Sequence, residues 1–235
     1  MNALSRPVAA LAALALLPAA CVVDLSNLAG GARSGAGGAA PATAAQLQAL
    51  ATSCVQYPGS KKFMPVPGTA STVPVCTLDG AVWWTSGMSI ACDGASQKPC
   101  TAASGYSPST AGTDSLGNAL DASTLPFVVI PTPSNGFDFV AAGLNYGSVV
   151  AVLYKGKLVY AILGDEGGAG VLGEGSYALA VALGIDPNPA TGGVGSGVTY
   201  IAFTGMPPIQ VAKNEDHAEA DQLGAELAAK LVANN

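Results

Sequence analysis

The stretch 148-SVVAVLYKGKLVYAIL-163 holds two runs of branched, aliphatic and tyrosine residues on either side of Gly156. Short runs of this kind, broken by a glycine that accepts a tight turn, predict a β-hairpin. Neither arm alternates apolar with polar residues, so neither has a water-facing side. Working outward, FVVI ends at Pro131, VTYIAF runs from Val198 to Phe203, and VPVCTLDGAVWWT places two apolar runs around Asp79-Gly80, a second hairpin signal. Strands that are apolar on both faces suit a small closed β-barrel, with a double-psi-like layout as one option.

Helical patterns interrupt the strands. In TAAQLQALATSC, Leu47, Leu50 and Ala51 fall at helical spacing. Gly173 to Leu183 is almost wholly apolar after Ser176 and stops at Gly184, which predicts a short buried helix. From Asn214 to Val232, Ala218, Leu223, Leu227 and Leu231 share one side, with Glu215, Asp216, Glu219 and Asp221 early and Lys230 late, an order that suits the helix dipole. The fold class expected is therefore mainly β: a barrel with a buried short helix and a C-terminal helix.

Composition agrees with one turn-rich domain. Of 235 residues half are apolar and only 10% charged, with Gly 30 and Pro 16. A net charge of -6 argues against nucleic acid as a partner, since duplex binding needs a basic face. It permits a cationic ligand without implying one.

The first 20 residues, with Arg6 and then VAALAALALLPAA, read as a bacterial-type secretion signal, too short to span a bilayer permanently. Cys21 after LLPAA matches either a lipidation site or a plain cleavage site near Ala20, and both readings stand. Residues 21–44 read as a flexible Gly/Ala-rich tether and residues 45–235 as the single domain. The location expected is extracellular or cell-envelope, with possible membrane attachment through Cys21, and the state expected is a monomer.

Setting Cys21 aside leaves Cys54, Cys76, Cys92 and Cys100, an even set in an exported chain. Three pairings exist. Cys54 with Cys76 and Cys92 with Cys100 is preferred because each closes a short loop. A zinc site is disfavoured, since paired CxxC spacing is missing and His217 is the chain's one histidine.

The segment GDEGGAGVLGEGS carries the chemistry. Asp165 follows the apolar run LVYAIL and Glu174 opens the predicted helix, so the glycine-rich loop between them can bring both carboxyl groups to one cleft. Two carboxyl groups suffice to hydrolyse a glycosidic bond, one as acid and one as base or nucleophile, with no cofactor. On their own the two acids equally suit a turn residue and a helix-start carboxylate. A phosphate loop of the GxxxxGK[ST] type is disfavoured because that motif is missing from the segment. Trp83, Trp84, Tyr106 and Tyr146 offer faces for sugar rings, although core packing is the commoner role. Adjacent strand residues point opposite ways, so one of the two tryptophans is expected to face solvent.

The pieces VCTLDGAVWW, CDG at 92–94, LDASTLPFVVIP, VYAILGDEGG, VLGEGSYALAVALGI and SGVTYIAF occur in an order that resembles glycoside hydrolase family 75, the chitosanase family, from about Val75 to Phe203. The resemblance excludes the leader, tether and tail. It implies endo-type, inverting hydrolysis of a chitosan-like polysaccharide, with Glu174 as general acid and Asp165 as base. Asp93, Glu166, Trp84 and Tyr146 are the candidate substrate contacts. Family members commonly read MDIDCDG where this chain reads MSIACDG, so Ser89 and Ala91 stand in place of two acids and predict a weaker grip on a cationic sugar. Two further readings remain: a tethered, non-catalytic carbohydrate-binding module, and a hydrolase of another amino-sugar polymer.

Overall fold

The structure, a computed structural model, describes residues 40–133, 136–168 and 170–235. The expected signal segment, Cys21 and the tether as far as residue 39 lie outside the described residues. In chain order the elements are α1 (Ala44–Leu50), β1 (Val55–Gln56), β2 (Cys76–Leu78), β3 (Ala81–Ala91), β4 (Phe127–Pro131), β5 (Val149–Tyr154), β6 (Lys157–Gly167), β7 (Glu174–Ser176), α2 (Tyr177–Leu183), β8 (Val194–Phe203) and α3 (His217–Asn234).

The hairpin predicted about Gly156 joins β5 to β6. Lys155 and Gly156 both take positive φ, 47° and 80°, which matches the twist of the two arms. At the other predicted hairpin, between β2 and β3, Gly80 takes φ 79°. Strands β3, β7, β4, β6, β5 and β8 are bonded in that order, and β8 returns to β3, so the sheet closes into a barrel. Closure removes exposed strand edges.

Both faces of the strands are covered. Val82, Trp84, Val150, Val152, Tyr200 and Ala202 enter one apolar cluster with Leu179 and Leu183 of α2. Their neighbours Ala81, Trp83, Val149, Ala151, Ile201 and Phe203 enter the other, with Leu227, Ala228 and Leu231 of α3. This two-sided burial is why the strands lack the alternation of a half-exposed sheet.

The helices hold three departures from expectation. The segment predicted as helix from Gly173 first forms β7, and α2 begins only at Tyr177, with Ser176 accepting from the Leu179 N–H at 3.2 Å. It ends at Gly184, φ 73°, as its glycine stop predicts. It is not wholly buried, since Val181 is 53% exposed. The buried seam of α3 runs through Ala220, Gly224, Leu227, Ala228 and Leu231, whereas Ala218 is exposed. A methyl at Gly224 would lie 2.5 Å from the Tyr160 ring, so helix and sheet approach closely there.

The disulfides are Cys54–Cys76 and Cys92–Cys100, the preferred pairing, which consumes the four cysteines a zinc site would have used.

Candidate active site

Strand β4 runs parallel to β6, and the pairing passes from Val128 opposite Leu163 to Val129 opposite Asp165, leaving Gly164 as a bulge. A side chain at Gly164 would meet Cβ of Phe127 at 2.6 Å, so glycine is required. The extra residue inverts the face on which the following residues stand. Asp165 therefore shares the face of Val129. Glu166 falls opposite Ile130 on the other face, where it accepts a hydrogen bond from the Tyr146 hydroxyl.

On its second edge β4 pairs with β7, and Val129 faces Glu174. Glu174 in turn faces Ser89 of β3. Ser89, Glu174, Val129 and Asp165 thus form one row across four adjacent strands, with their side chains on one face. Asp165 is a strand residue, not the turn residue that follows a strand, and Glu174 sits in β7 ahead of the helix rather than in its first turn.

The two acids differ in environment. One oxygen of Asp165 accepts from the backbone N–H groups of Ala111, at 2.7 Å, and Glu166, at 2.9 Å. Burial raises its pKa, and the two N–H bonds oppose that rise by favouring the charged form. Glu174 leans over Val129 toward β6: a methyl on Gly167 would lie 3.5 Å from Glu174 Oε2. Burial, then the charges of Asp93 and Asp165, push its pKa to about 7.

Asp93 stands just beyond β3, in the segment closed by the Cys92–Cys100 bridge, and accepts from the Ser107 N–H at 2.9 Å. Its charge acts on both Asp165 and Glu174, so the structure brings these three acids together. On the β3 side of Glu174 lies an open groove of ≈ 440 Å³, lined by Val66, Pro67, Ser89, Ile90, Pro189 and Val194 among others. It reaches Glu174 but is not lined by Asp165.

The tryptophan expectation is corrected. Both indoles are buried, Trp83 at 5% and Trp84 at 1% exposed, because β3 is covered on both faces. Trp84 stacks on Tyr200 with centroids 5.2 Å apart and offers no face to a sugar, so it leaves the set of substrate contacts. The Tyr106 hydroxyl donates to the Ala95 carbonyl at 3.0 Å. Tyr146 is half-buried beside Phe139 and remains reachable. His217, on α3, faces Asp221 one turn on at 3.7 Å.

Sequence reasoning missed Ala111, whose contribution is a backbone N–H and leaves no trace in residue type. It also missed the bulge. A glycine at the end of an otherwise apolar run was its signal.

One carboxyl group thus accepts two N–H bonds, while burial and neighbouring charges push the pKa of the other, two strands away, to about 7. The chain belongs to the glycosyl hydrolase group 75 family: the family model, described as fungal chitosanase of glycosyl hydrolase group 75, matches residues 88–231. That span begins later than Val75 and continues through most of α3, which the motif reading left out. Endo-chitosanase C of Aspergillus oryzae is 38% identical over 91 residues, 37% of this chain. The matched portion is 23% of that relative's length.

Proposed function

We propose that this chain is an exported, endo-acting hydrolase of chitosan-type β-1,4-linked glucosamine polymers, working by inversion, with Glu174 as general acid and Asp165 as general base. The observation that supports it best is the shared register on Val129 combined with unequal environments. Oε2 of Glu174 lies beside Gly167, two residues along β6 from Asp165, so the two carboxyl groups share one face. The inverting reading requires a ~6.5–9.5 Å separation that leaves room for a water, against ~5–5.5 Å for a retaining pair. Glu174 gives its proton to the glycosidic oxygen as the C–O bond breaks. Asp165 takes a proton from the water whose oxygen bonds the anomeric carbon from the opposite face.

Asp93, beside both acids, is the proposed partner of a substrate amino group, and the Tyr146–Glu166 pair is the next proposed contact. A bacterial-type leader, with removal near Ala20 or lipidation of Cys21, and a monomeric state belong to the same reading. Mass spectrometry of the protein recovered from the cell envelope and medium distinguishes the two fates of Cys21.

The test of the acid pair is release of reducing ends from chitosan by Asp165→Asn and Glu174→Gln, each checked by circular dichroism for an intact fold. Loss on the order of a thousandfold in both is expected. Full activity in either folded variant overturns the assignment.

One observation favours a second reading of the substrate. Of the residues lining the groove beside Glu174, that glutamate alone ionises, so the groove holds no further carboxylate for an ammonium. A partly acetylated polymer fits such a lining. Initial rates on chitosans of graded acetylation decide between the two, with a maximum at full deacetylation counting against the acetylated substrate.

A further inference from the structure

One loop serves two of the acids. Ser107 gives its N–H to Asp93 at 2.9 Å, and Ala111, four residues on, gives its N–H to Asp165 at 2.7 Å. Between them, Thr110 ties the loop down: its hydroxyl donates to the Gly112 carbonyl at 2.7 Å and accepts from the Leu120 N–H at 2.8 Å. Gly112 then donates to the carbonyl of the bulge residue Gly164 at 3.0 Å. A methyl on Gly112 would lie 2.6 Å from that same oxygen, so backbone meets backbone with no room between.

From this geometry we infer that Thr110 is a positioning residue for Asp165: its hydroxyl fixes the 110–112 turn so that the Ala111 N–H holds one carboxylate oxygen and leaves the other to face water. The inference rests on the proposed role of Asp165 as base. Both N–H donors bind the same oxygen, Oδ1, so the turn selects which oxygen takes the proton. Thr110 touches no reacting atom in this scheme. It acts through Ala111.

Loss of the hydroxyl frees the turn, weakens the N–H bond to Asp165 and raises the pH at which that group ionises. The charges that act on Asp165 come from Asp93 and Glu174 on its own side and from Glu166, paired with the Tyr146 hydroxyl, on the other face; all are acidic, so the Glu166 N–H is the donor left to oppose the rise. Thr110→Val keeps the shape and removes the hydroxyl, and Thr110→Ser restores it.

The experiment is the pH dependence of kcat on chitosan for the full chain, Thr110→Val, Thr110→Ser and Asp165→Asn, with the Asp165 carboxyl carbon titrated by NMR in the first three. Thr110→Val is expected to lose on the order of tenfold or more in kcat with KM within about twofold. Its acidic limb and its NMR midpoint move to higher pH, and Thr110→Ser recovers both. An unmoved midpoint in a folded Thr110→Val protein overturns the inference even if rate is lost. An active Asp165→Asn protein overturns the base assignment and the inference with it. If Asp165→Asn is inactive while Thr110→Val matches the parent profile, only the positioning role fails.

Discussion

Asp165 and Glu174 are both register partners of Val129, one across each edge of β4. Their relation is therefore set by hydrogen-bond ladders rather than by the glycine-rich segment that joins them in sequence. The segment supplies the chain reversal, and the sheet supplies the geometry.

The first prediction concerns pH and activity. With the Glu174 pKa pushed to about 7, the acid is protonated below that value and spent above it. In the proposed mechanism Asp165 acts ionised, which sets the lower limb. The rate of reducing-end release is expected to follow a bell that falls as pH rises through about 7, and a rate still climbing at pH 9 contradicts Glu174 as the acid.

Stability carries the same signature with its own sign. The folded pKa of Glu174 lies above the ordinary value of 4.5, so the folded state binds that proton more tightly than the unfolded state. The stabilisation is full below about 4.5 and is lost as pH rises through about 7, by roughly 3–4 kcal/mol. Urea unfolding across this window is expected to show that slope for the parent and a much flatter one for Glu174→Gln.

At the bulge, Gly164→Ala forces a methyl against Phe127 at 2.6 Å. A destabilisation of about 1–3 kcal/mol is expected from overpacking, together with lost activity because Asp165 is re-aimed. An active variant as stable as the parent shows that the bulge can be absorbed elsewhere.

The Tyr146 hydroxyl donates to Glu166 on the face opposite the row that holds Asp165 and Glu174. Tyr146→Phe is expected to cost about 1–2 kcal/mol by denaturant unfolding, since the bond is charge-assisted and half-buried. If the pair also contacts substrate, KM rises while kcat holds. A KM equal to that of the parent confines the pair to structure.

The Cys92–Cys100 bridge encloses Asp93 in a loop of sequence separation 8. Replacing both cysteines with serine is expected to lower stability by about 2–3 kcal/mol and to raise KM for chitosan more than it lowers kcat. A larger fall in kcat than rise in KM places Asp93 with the reacting groups instead.

Much of the fold was legible because local chemistry and tertiary structure agree. Lys155-Gly156 has the turn geometry its neighbours require, Gly184 ends α2 as a glycine stop does, and the four cysteines pair within short loops. The β7 strand was not legible, because Glu174–Ser176 is held by β3 and β4, far away in sequence, and its own residues favour no strand. Trp83 and Trp84 misled for a related reason: alternation says that neighbours face opposite ways, not that either way leads to water. The acids were visible as residue types, but the row containing them depends on an extra residue in one strand and a backbone donor from a loop 54 positions away.

The Gly164 bulge works as a parity device. Asp165 and Glu166 are chemically close neighbours, and in a regular ladder Glu166 would occupy the face that Asp165 now holds. One added residue assigns the first acid to the row with Glu174 and sends the second to a tyrosine. Pairing Gly164 itself with Val129 in a regular ladder would exchange their stations without changing either side chain, so which acid joins the row with Glu174 is written in strand register rather than in composition.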